Sequence, residues 1–523
     1  MSRGPTKPSG VVAAGHPATA AAAVTILEEG GNAFDAVLAA MAASAVSEPV
    51  LSSLGGGGFL LAKPADGPPR LYDFFAQTPL IRADERDCDF HPVLCDFGEA
   101  QQEFHIGMAS IATPGVVRGL FEISRDLGRM PIRTVVAPAI ELARDGVALN
   151  DLQAYIFKVV GPIYLSTPAS RAIFESPERP GELVGEGERI TNTDYGEVLE
   201  NLAIEGENLF YRGEIGARIA EDCRAGGVLT RRDLARYEIK RRRPLEAEYH
   251  GARLFTNPPP STGGLLMSFA LTLLGDDGFG DAPFGSAKHL ARLLRVIDLT
   301  NEARLESRLH EIHAAEAADV MFHPEFVETY REYLQGRPRA HRGTTHISVI
   351  DGHGNAAAMT LSNGEGSGYI APDTGIMLNN MLGEEDINPH GFHAWPTDMR
   401  MASMMAPTLL IEPSGRLTAM GSGGSNRIRT ALLQVLNNLL DFGMELAPAI
   451  ESPRLHFERD RLDIEPGFVP EAVEPLFEAH RDHKLWDRQN LFFGGVHAVR
   501  VDAGTGEVSG VGDPRRGGVS VRI

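Results

Sequence analysis

Hydrophobic positions near the start of the chain show two periodicities. Residues 11 to 14 form a short apolar run, which is typical of a buried strand. Residues 17 to 29 are apolar at helical spacing and begin with a proline, which suits the first turn of a helix. Asn32 can cap a second helix that ends before Pro49. The pattern predicts strand, helix, helix and a second strand over residues 11 to 60.

The second strand follows four consecutive glycines, Gly55 to Gly58. Glycine runs also occur in flexible linkers. Here apolar residues flank the run on both sides, which favours a buried turn where two backbones approach closely. The region from about 115 to 340 is mostly helical in pattern and ends in an arginine-rich segment, residues 336 to 343, which we predict to be a loop.

The pattern changes to that of strands after this loop. Residues 344 to 350 alternate apolar and polar side chains, residues 351 to 355 carry turn residues, and residues 356 to 362 are again extended in character. This predicts a β-hairpin. A second strand pair is predicted at residues 406 to 411 and 417 to 420. Strands with interleaved helices predict an α/β or α+β sandwich.

Composition narrows the possible functions. The chain has 523 residues, a formal net charge of -21 and three cysteines. An acidic surface repels phosphate backbones and anionic lipid, so we expect no nucleic-acid or membrane partner. Three sparse cysteines form neither a disulfide framework nor a zinc pattern. The polar first ten residues are neither a signal peptide nor a membrane span, and a cytoplasmic location is predicted.

Two histidine pairs, His310 with His313 and His390 with His393, stand at spacings that metal ligands also use. No third ligand is evident, so they are interpreted as ordinary surface or core histidines. No metal and no cofactor are predicted.

Thr344 is the candidate nucleophile, because it begins a predicted strand directly after Gly343. A threonine hydroxyl needs an adjacent base, and an N-terminal threonine has its own α-amine, whose pKa is about 7.7–8. This chemistry requires cleavage of the Gly343–Thr344 bond. Gly343 lacks a Cβ, which eases attack on its carbonyl. The alternative is that a β-branched pair simply begins an ordinary strand.

A glycine-rich loop, residues 421 to 425, follows a predicted strand and opens a helix. Backbone N–H groups at such a helix start can stabilise an oxyanion. The loop could also bind a nucleotide phosphate, although its spacing is not that of a dinucleotide loop and no Lys-Ser/Thr follows it. A plain helix-capping loop remains the third interpretation.

Several motifs in one order resemble those of the gamma-glutamyltransferase (gamma-glutamyltranspeptidase) family, and the resemblance covers nearly the whole chain. They are Gly15-His-Pro17, Glu29-Gly-Gly-Asn-Ala-Phe-Asp-Ala36, Gly55 to Gly58, Ala112-Thr-Pro-Gly115, Pro258-Pro-Pro-Ser-Thr-Gly-Gly264, Thr344-Thr-His-Ile-Ser-Val-Ile-Asp351, Gly375-Ile-Met-Leu-Asn-Asn380, Ala406-Pro-Thr408 and Gly421-Ser-Gly-Gly424.

The resemblance implies an α+β fold of the N-terminal nucleophile hydrolase type, a four-layer αββα sandwich. It implies a proenzyme that cuts itself into a large subunit, 1–343, and a small subunit, 344–523, which together form one domain. It gives Thr344 as nucleophile and Ser362 at the position of an assisting threonine. Gly424 and Ser425 stand where two glycines supply the oxyanion-hole amides.

The resemblance is weakest at the positions that bind substrate in the family. Where the family has an arginine for the donor's α-carboxylate, the chain has Phe75. Glu384 stands at an aspartate that holds the α-amine, and Met381 replaces a polar neighbour. Ser403 remains from a serine pair, and Gly364 replaces an asparagine.

The resemblance therefore implies an amidohydrolase that takes a gamma-glutamyl or related acyl group from a small-molecule amide and passes it, through a threonyl ester, to water or an amine. An acylase for a non-glutamyl acid amide, of the oxamate or glutaryl type, is one alternative. A non-catalytic binding protein on the same fold is another. Arg427 or Arg429 could supply a different anion site.

Overall fold

The computed structural model describes residues 10–96, 101–306, 321–322, 344–388, 391–458 and 460–523. The predicted loop at 336–343, with Gly343, lies outside these residues, as do His310, His313 and His390.

The strands of the described residues are β1 (Gly10–Ala14), β2 (Gly57–Lys63), β3 (Arg70–Asp73), β4 (His91–Asp96), β5 (Gln101–Ile106), β6 (Val147–Ala148), β7 (Arg189–Ile190), β8 (Lys240–Arg242), β9 (Leu245–Tyr249), β10 (Ala252–Thr256), β11 (Thr345–Asp351), β12 (Ala356–Ser362), β13 (Ile370–Ala371), β14 (Ile376–Met377), β15 (Thr408–Ile411), β16 (Leu417–Gly423), β17 (Leu455–Glu458), β18 (Arg461–Ile464), β19 (Asp482–Leu485), β20 (Gly495–Val501), β21 (Val508–Val511) and β22 (Val519–Arg522). The helices of these residues are α1 (Pro17–Glu28), α2 (Ala33–Ser47), α3 (Val116–Leu127), α4 (Ile132–Asp145), α5 (Asp151–Tyr164), α6 (Pro168–Phe174), α7 (Thr193–Glu205), α8 (Asn208–Tyr211), α9 (Glu214–Asp222), α10 (Arg231–Arg236), α11 (Gly263–Leu274), α12 (Ala287–Glu306), α13 (Arg427–Leu440), α14 (Leu446–Glu451) and α15 (Pro470–Ala479).

Two antiparallel sheets form the centre of the molecule. The first has the strand order β22-β1-β11-β12-β2-β3-β8, and the second has the order β21-β20-β16-β15-β10-β9. Both sheets contain strands from before and after position 344. The N-terminal strand β1, for example, lies between β11 and β22, with Val12 opposite Val349 on one side and Val521 on the other.

Alternating side chains give the first sheet two apolar faces. Val11 and Ala13 of β1 face the second sheet, whereas Val12 and Ala14 pack among residues of α1 and α2. The outer face of the second sheet is covered by α11 and α13. The layers are helix, sheet, sheet and helix, so the predicted α+β, αββα sandwich is confirmed.

Local sequence signals predicted the elements around the first sheet correctly. Asn32 caps α2: its side chain accepts hydrogen bonds from the backbone of Phe34 and Asp35, and Asp35 accepts from Asn32 N at 3.0 Å. The hairpin is formed by β11 and β12, with Thr345 opposite Leu361. These predictions are confirmed.

The four glycines are buried and lead into β2, which begins at the third of them. A Cβ built on Gly55 would lie 2.3 Å from the carbonyl oxygen of Met377, and one on Gly56 would lie 2.4 Å from that of Ser362. The predicted close approach of backbones is therefore confirmed.

The prediction of a mostly helical middle region was wrong for residues 245–256, which form β9 and β10 of the second sheet. The strand β8 precedes them at an edge of the first sheet, where a solvated loop or strand edge was expected for residues 240–243. Two of the three strands are at sheet edges, where alternate charged side chains such as Glu246 and Glu248 face solvent and mask the apolar pattern. In the described ranges no helix has the length and apolar character needed to cross a bilayer.

Candidate active site

A cavity of about 380 Å³, which includes space open to solvent, lies where β11 begins. Its lining residues are Phe75, Thr344, Ser362, Met381, Glu384, Ile387, Ser403, Met404, Met405, Ser425 and Ile428. Seven of the predicted site residues, far apart in the sequence, thus meet in one place.

The predicted nucleophile is held from both faces of its strand. Thr344 is 4% exposed, and its carbonyl oxygen accepts a hydrogen bond of 3.1 Å from Arg516 Nη1. On the opposite face, Thr345 Oγ1 donates to Glu48 Oε2 at 2.7 Å, and Thr19 Oγ1 donates to Glu48 Oε1 at 2.7 Å. These contacts fix the backbone that carries Thr344.

Two buried ionisable side chains, Glu48 and Arg516, contact the segment of Thr344 and Thr345. Burial raises the pKa of Glu48, and the hydrogen bonds from the two threonines and the charge of Arg516 oppose this. Burial lowers the pKa of Arg516 to about 10, and the charges of Glu365, Asp513 and Glu48 oppose this. A cation and nearby carboxylates therefore interact in a region that excludes water.

The end of β16 passes very close to the start of β11. A Cβ on Gly421 would lie 2.3 Å from the ring of His346, and a Cβ on Gly423 would lie 1.9 Å from the carbonyl oxygen of Thr344. Only glycine fits these two positions, so the glycine-rich run serves close packing of the two sheets at the candidate site.

The loop between β16 and α13 has the backbone conformation that glycine favours. Gly424 has φ 117° and Ser425 has φ 52°. A serine in the left-handed region costs roughly 1–2 kcal/mol. The carbonyls of these two residues accept hydrogen bonds from the backbone of Arg427 and Ile428, which begin α13. Ser425 lines the cavity and Gly424 lies directly before it. Their role as oxyanion donors stays a prediction.

Gly364 does not line the cavity, although it was predicted to bind substrate. Its amide donates to Ser362 Oγ at 3.0 Å, and its φ is 63°. A Cβ there would lie 2.1 Å from Asn380 Oδ1 and 2.7 Å from Glu384 Oε1. Gly364 instead makes room for these two side chains, so an asparagine could not simply replace it.

One side of the cavity is apolar. Phe75, which is 2% exposed and stacks on Phe59 at 5.4 Å, and Met381 were predicted to be there. Sequence reasoning missed the other apolar members as lining residues. They are Ile387, Met404, Met405 and Ile428. The available signals were the helical spacing of Ile428 on α13 and the position of Met404 directly after Ser403.

Glu384 is the charged side chain among the described lining residues. Arg400 lies near Phe75, but its Nη1 donates to the carbonyl oxygen of Phe75 and to Tyr237 Oη at 2.6 Å, and its Nη2 donates to Glu238 O at 2.6 Å. Nη1 also pairs with Asp73 Oδ1 at 3.3 Å. Both Nη atoms are therefore committed to protein acceptors, whereas Nε is buried without a partner among the described residues.

The suggested second anion site is wrong. Arg427 Nε donates to the carbonyl oxygen of Phe492 at 3.0 Å, and Arg429 Nη1 donates to Thr300 Oγ1 at 2.8 Å. Neither arginine lines the cavity. Both project from α13 toward neighbouring segments instead of toward Thr344.

His393 packs edge-on against Phe90, with ring centroids 4.5 Å apart. Over the described part of the chain, no group of three or more histidine, cysteine, aspartate or glutamate side chains is arranged to hold a metal ion.

Comparisons with known proteins agree on one family. The family model described as Gamma-glutamyltranspeptidase matches residues 19–523. The glutathione hydrolase proenzyme of Escherichia coli (strain K12) is 32% identical, over 97% of this chain and 90% of its own length. The Acylase ACY 1 proenzyme of Pseudomonas sp. (strain SE83) is 28% identical, over 98% of this chain and 93% of its own length.

Among solved structures, cephalosporin acylase from Bacillus halodurans is similar in fold, with a TM-score of 0.84 and 23% sequence identity. It covers 100% of this chain, which covers 97% of it. Helicobacter pylori gamma-glutamyltranspeptidase gives a TM-score of 0.53 at 24% identity, over 64% of this chain and 93% of its own.

Proposed function

This chain belongs to the gamma-glutamyltranspeptidase family, and from that premise we propose that it cleaves itself at Gly343–Thr344 and then uses Thr344 to transfer an acyl group from an amide. The family and the enzyme class, an N-terminal threonine hydrolase or acyltransferase, were predicted and are confirmed. The non-catalytic alternative is therefore set aside.

The proposed reaction uses groups that line the cavity, together with Gly424, which directly precedes the lining residue Ser425. The freed α-amine of Thr344 accepts the hydroxyl proton while Oγ1 attacks the donor's carbonyl carbon. The amides of Gly424 and Ser425 donate to the resulting oxyanion. The protonated amine then gives its proton to the leaving nitrogen, and water or an amine cleaves the threonyl ester. The Ser362 hydroxyl lies in the same cavity to assist the threonine.

The acyl donor that fits this cavity best has no carboxylate on the end of the acyl group that is buried in the cavity. The observation that carries this proposal is the pair Phe75 and Arg400: an aromatic ring lines the cavity, and the nearby guanidinium is bound by backbone carbonyls. A carboxylate buried there without a partner would cost about 3–5 kcal/mol. Glutathione and gamma-glutamyl amides should therefore be poor substrates, and a neutral acyl amide a better one.

The test is a set of four 4-nitroanilides that separates the two charges: γ-glutamyl, glutaryl, 4-aminobutyryl and butyryl. Two pairs differ by the carboxylate alone: γ-glutamyl against 4-aminobutyryl, and glutaryl against butyryl. In each pair the anilide with the carboxylate should have a kcat/KM lower by about 10²-fold or more. The ammonium should be tolerated, because Glu384 can pair with it. A preference for γ-glutamyl over 4-aminobutyryl anilide would contradict the proposal.

The second candidate is gamma-glutamyl transfer itself. Glu384 favours it, because this acid lines the cavity at the position where the family holds the donor's α-amine. Ser403 could add a hydroxyl to the same subsite. The four anilides decide between the two candidates.

We also propose that the pieces 1–343 and 344–523 remain one folded heterodimer. Support comes from the interleaved sheets, since separating β1 from β11 would expose buried strand edges on both pieces. The cytoplasmic location stays a prediction, which cell fractionation would test.

A further inference from the structure

A buried arginine reaches the candidate nucleophile through a slot lined by glycines. Arg516 is 6% exposed. A Cβ on Gly495 would lie 2.6 Å from its Cγ and Cδ, one on Gly423 would lie 2.9 Å from Nη1, and one on Gly424 would lie 3.2 Å from Nη2. The guanidinium thus lies against the glycine-rich loop and the carbonyl oxygen of Thr344.

This placement is costly for stability. Among the described residues, Nε of Arg516 has no hydrogen-bond partner, and Nη2 makes a single long contact of 3.5 Å with Leu491 O. Burial lowers the pKa of its guanidinium to about 10. A buried cation with incomplete hydrogen bonding destabilises a fold. A buried group of this kind beside a nucleophile is a candidate for a functional role.

We propose, building on the function above, that Arg516 is a positioning residue whose charge keeps the α-amine of Thr344 neutral, and therefore able to accept a proton, at neutral pH. The amine nitrogen is three bonds from the carbonyl oxygen that Arg516 contacts, so the guanidinium lies within roughly 7 Å of it. A positive charge at that distance disfavours the ammonium form.

The surrounding charges show why a cation is needed. Among the described residues, the titratable groups that face Thr344 or Arg516 are Glu48 after α2, His346 on β11, Glu365 after β12, Glu384 in the cavity wall, His497 on β20 and Asp513 before β22. Burial holds the pKa of His346 well below its usual range and lowers that of His497 to about 4, so both are neutral. The carboxylates favour the ammonium form of the amine, and Arg516 opposes them.

The size of the effect follows from Coulomb's law. A unit charge about 6 Å away, at an effective dielectric between about 20 and 80, shifts a pKa by roughly 0.5–2 units. Removing the charge of Arg516 should raise the pKa of the amine by this amount. Removing the charge of Glu48 should lower it by a smaller amount, because Glu48 contacts Thr345 and not Thr344.

The experiment compares the acidic limb of the kcat/KM–pH profile, which reports the free enzyme, for the processed wild type and three variants. The substrate is the 4-nitroanilide turned over fastest. Arg516→Gln should move the limb to higher pH by about 0.5–2 units. Arg516→Lys, which keeps the charge, should leave it near that of the wild type. Glu48→Gln, which keeps the side-chain shape, should move it to lower pH.

An unshifted limb in Arg516→Gln, or the same shift in Arg516→Lys, would overturn the proposal, because a purely structural role lowers kcat without moving the limb. If Arg516→Gln remains uncleaved, Gly495→Ala decides, because its Cβ would lie 2.6 Å from Cγ and Cδ of Arg516 and would displace the guanidinium. A limb at higher pH in this variant supports the proposal, and an unshifted or lower one overturns it. If no anilide is turned over, the proposed function fails. NMR titration of the ¹⁵N-labelled Thr344 amine in the same proteins then measures the pKa of the amine directly, and the same shifts of that pKa between the variants test this inference.

Discussion

Replacing Gly423 by alanine should disable the enzyme through one added methyl group. Its Cβ would lie 1.9 Å from the carbonyl oxygen of Thr344, whereas real Cβ atoms essentially never come closer than 3.0 Å to another heavy atom. The two strands must therefore separate by about 1 Å. Gly423 is not among the residues with positive φ, so alanine is permitted by the backbone and the clash is the whole perturbation.

The displaced oxygen belongs to the nucleophile's own residue, so the clash acts on catalysis directly. A misplacement of about 1 Å can cost roughly 10²-fold in rate, and overpacking of a buried site costs about 1–3 kcal/mol of unfolding free energy. We expect Gly423→Ala to fold, to cleave itself slowly, and to lose about 10²-fold in kcat/KM. The assays are gel analysis of cleavage, anilide kinetics and urea denaturation.

The matched control is Gly161→Ala. A Cβ at Gly161, inside α5, would meet nothing within 4 Å. Alanine there should leave activity unchanged, and no gain in stability is expected, because Pro162 follows and disfavours helical backbone for a residue with a Cβ. Wild-type kcat/KM and complete cleavage in Gly423→Ala would refute the claim that the β16–β11 approach holds the nucleophile in place.

Two further predictions address the oxyanion loop and the donor pocket. Gly424→Pro removes a backbone donor, and proline cannot adopt the φ of 117° found at this position. The turnover of the folded protein, measured by steady-state kinetics, should fall by about 10²–10³-fold. Near-normal turnover would mean that the oxyanion is stabilised elsewhere. Phe75→Arg puts a cation into the cavity wall. The kcat/KM for γ-glutamyl anilide should therefore rise by about tenfold or more, while that for butyryl anilide falls. An unchanged ratio of these two kcat/KM values would show that position 75 does not select the donor.

Local signals explain why much of the fold could be predicted from the sequence. The cap at Asn32 and the turn between β11 and β12 each depend on residues close together in the chain. The glycines before and in β2 were recognised from the apolar residues that flank them, although the backbones that they approach are distant in sequence. The strand β9 was missed because a short, charged edge strand lacks a clear apolar period.

The site could be predicted only where single positions matched the family's motifs. Arg516 contacts Thr344 across 172 positions, and Glu48 contacts Thr345 across 297. Nothing in the local sequence of either residue indicates this. The loss of an arginine at Phe75 is visible in the sequence, whereas the commitment of Arg400 to backbone carbonyls depends on the folded chain.

The central claim is that Thr344 becomes N-terminal and carries the acyl group. The most direct measurement is intact mass spectrometry of the purified protein, acid-quenched during turnover of its best anilide. The account predicts a fragment of residues 344–523 that gains the mass of the acyl group at Thr344, and an uncleaved, unmodified chain in Thr344→Ala. An intact chain that turns over the anilide, or an acyl group on any residue other than Thr344, would contradict it.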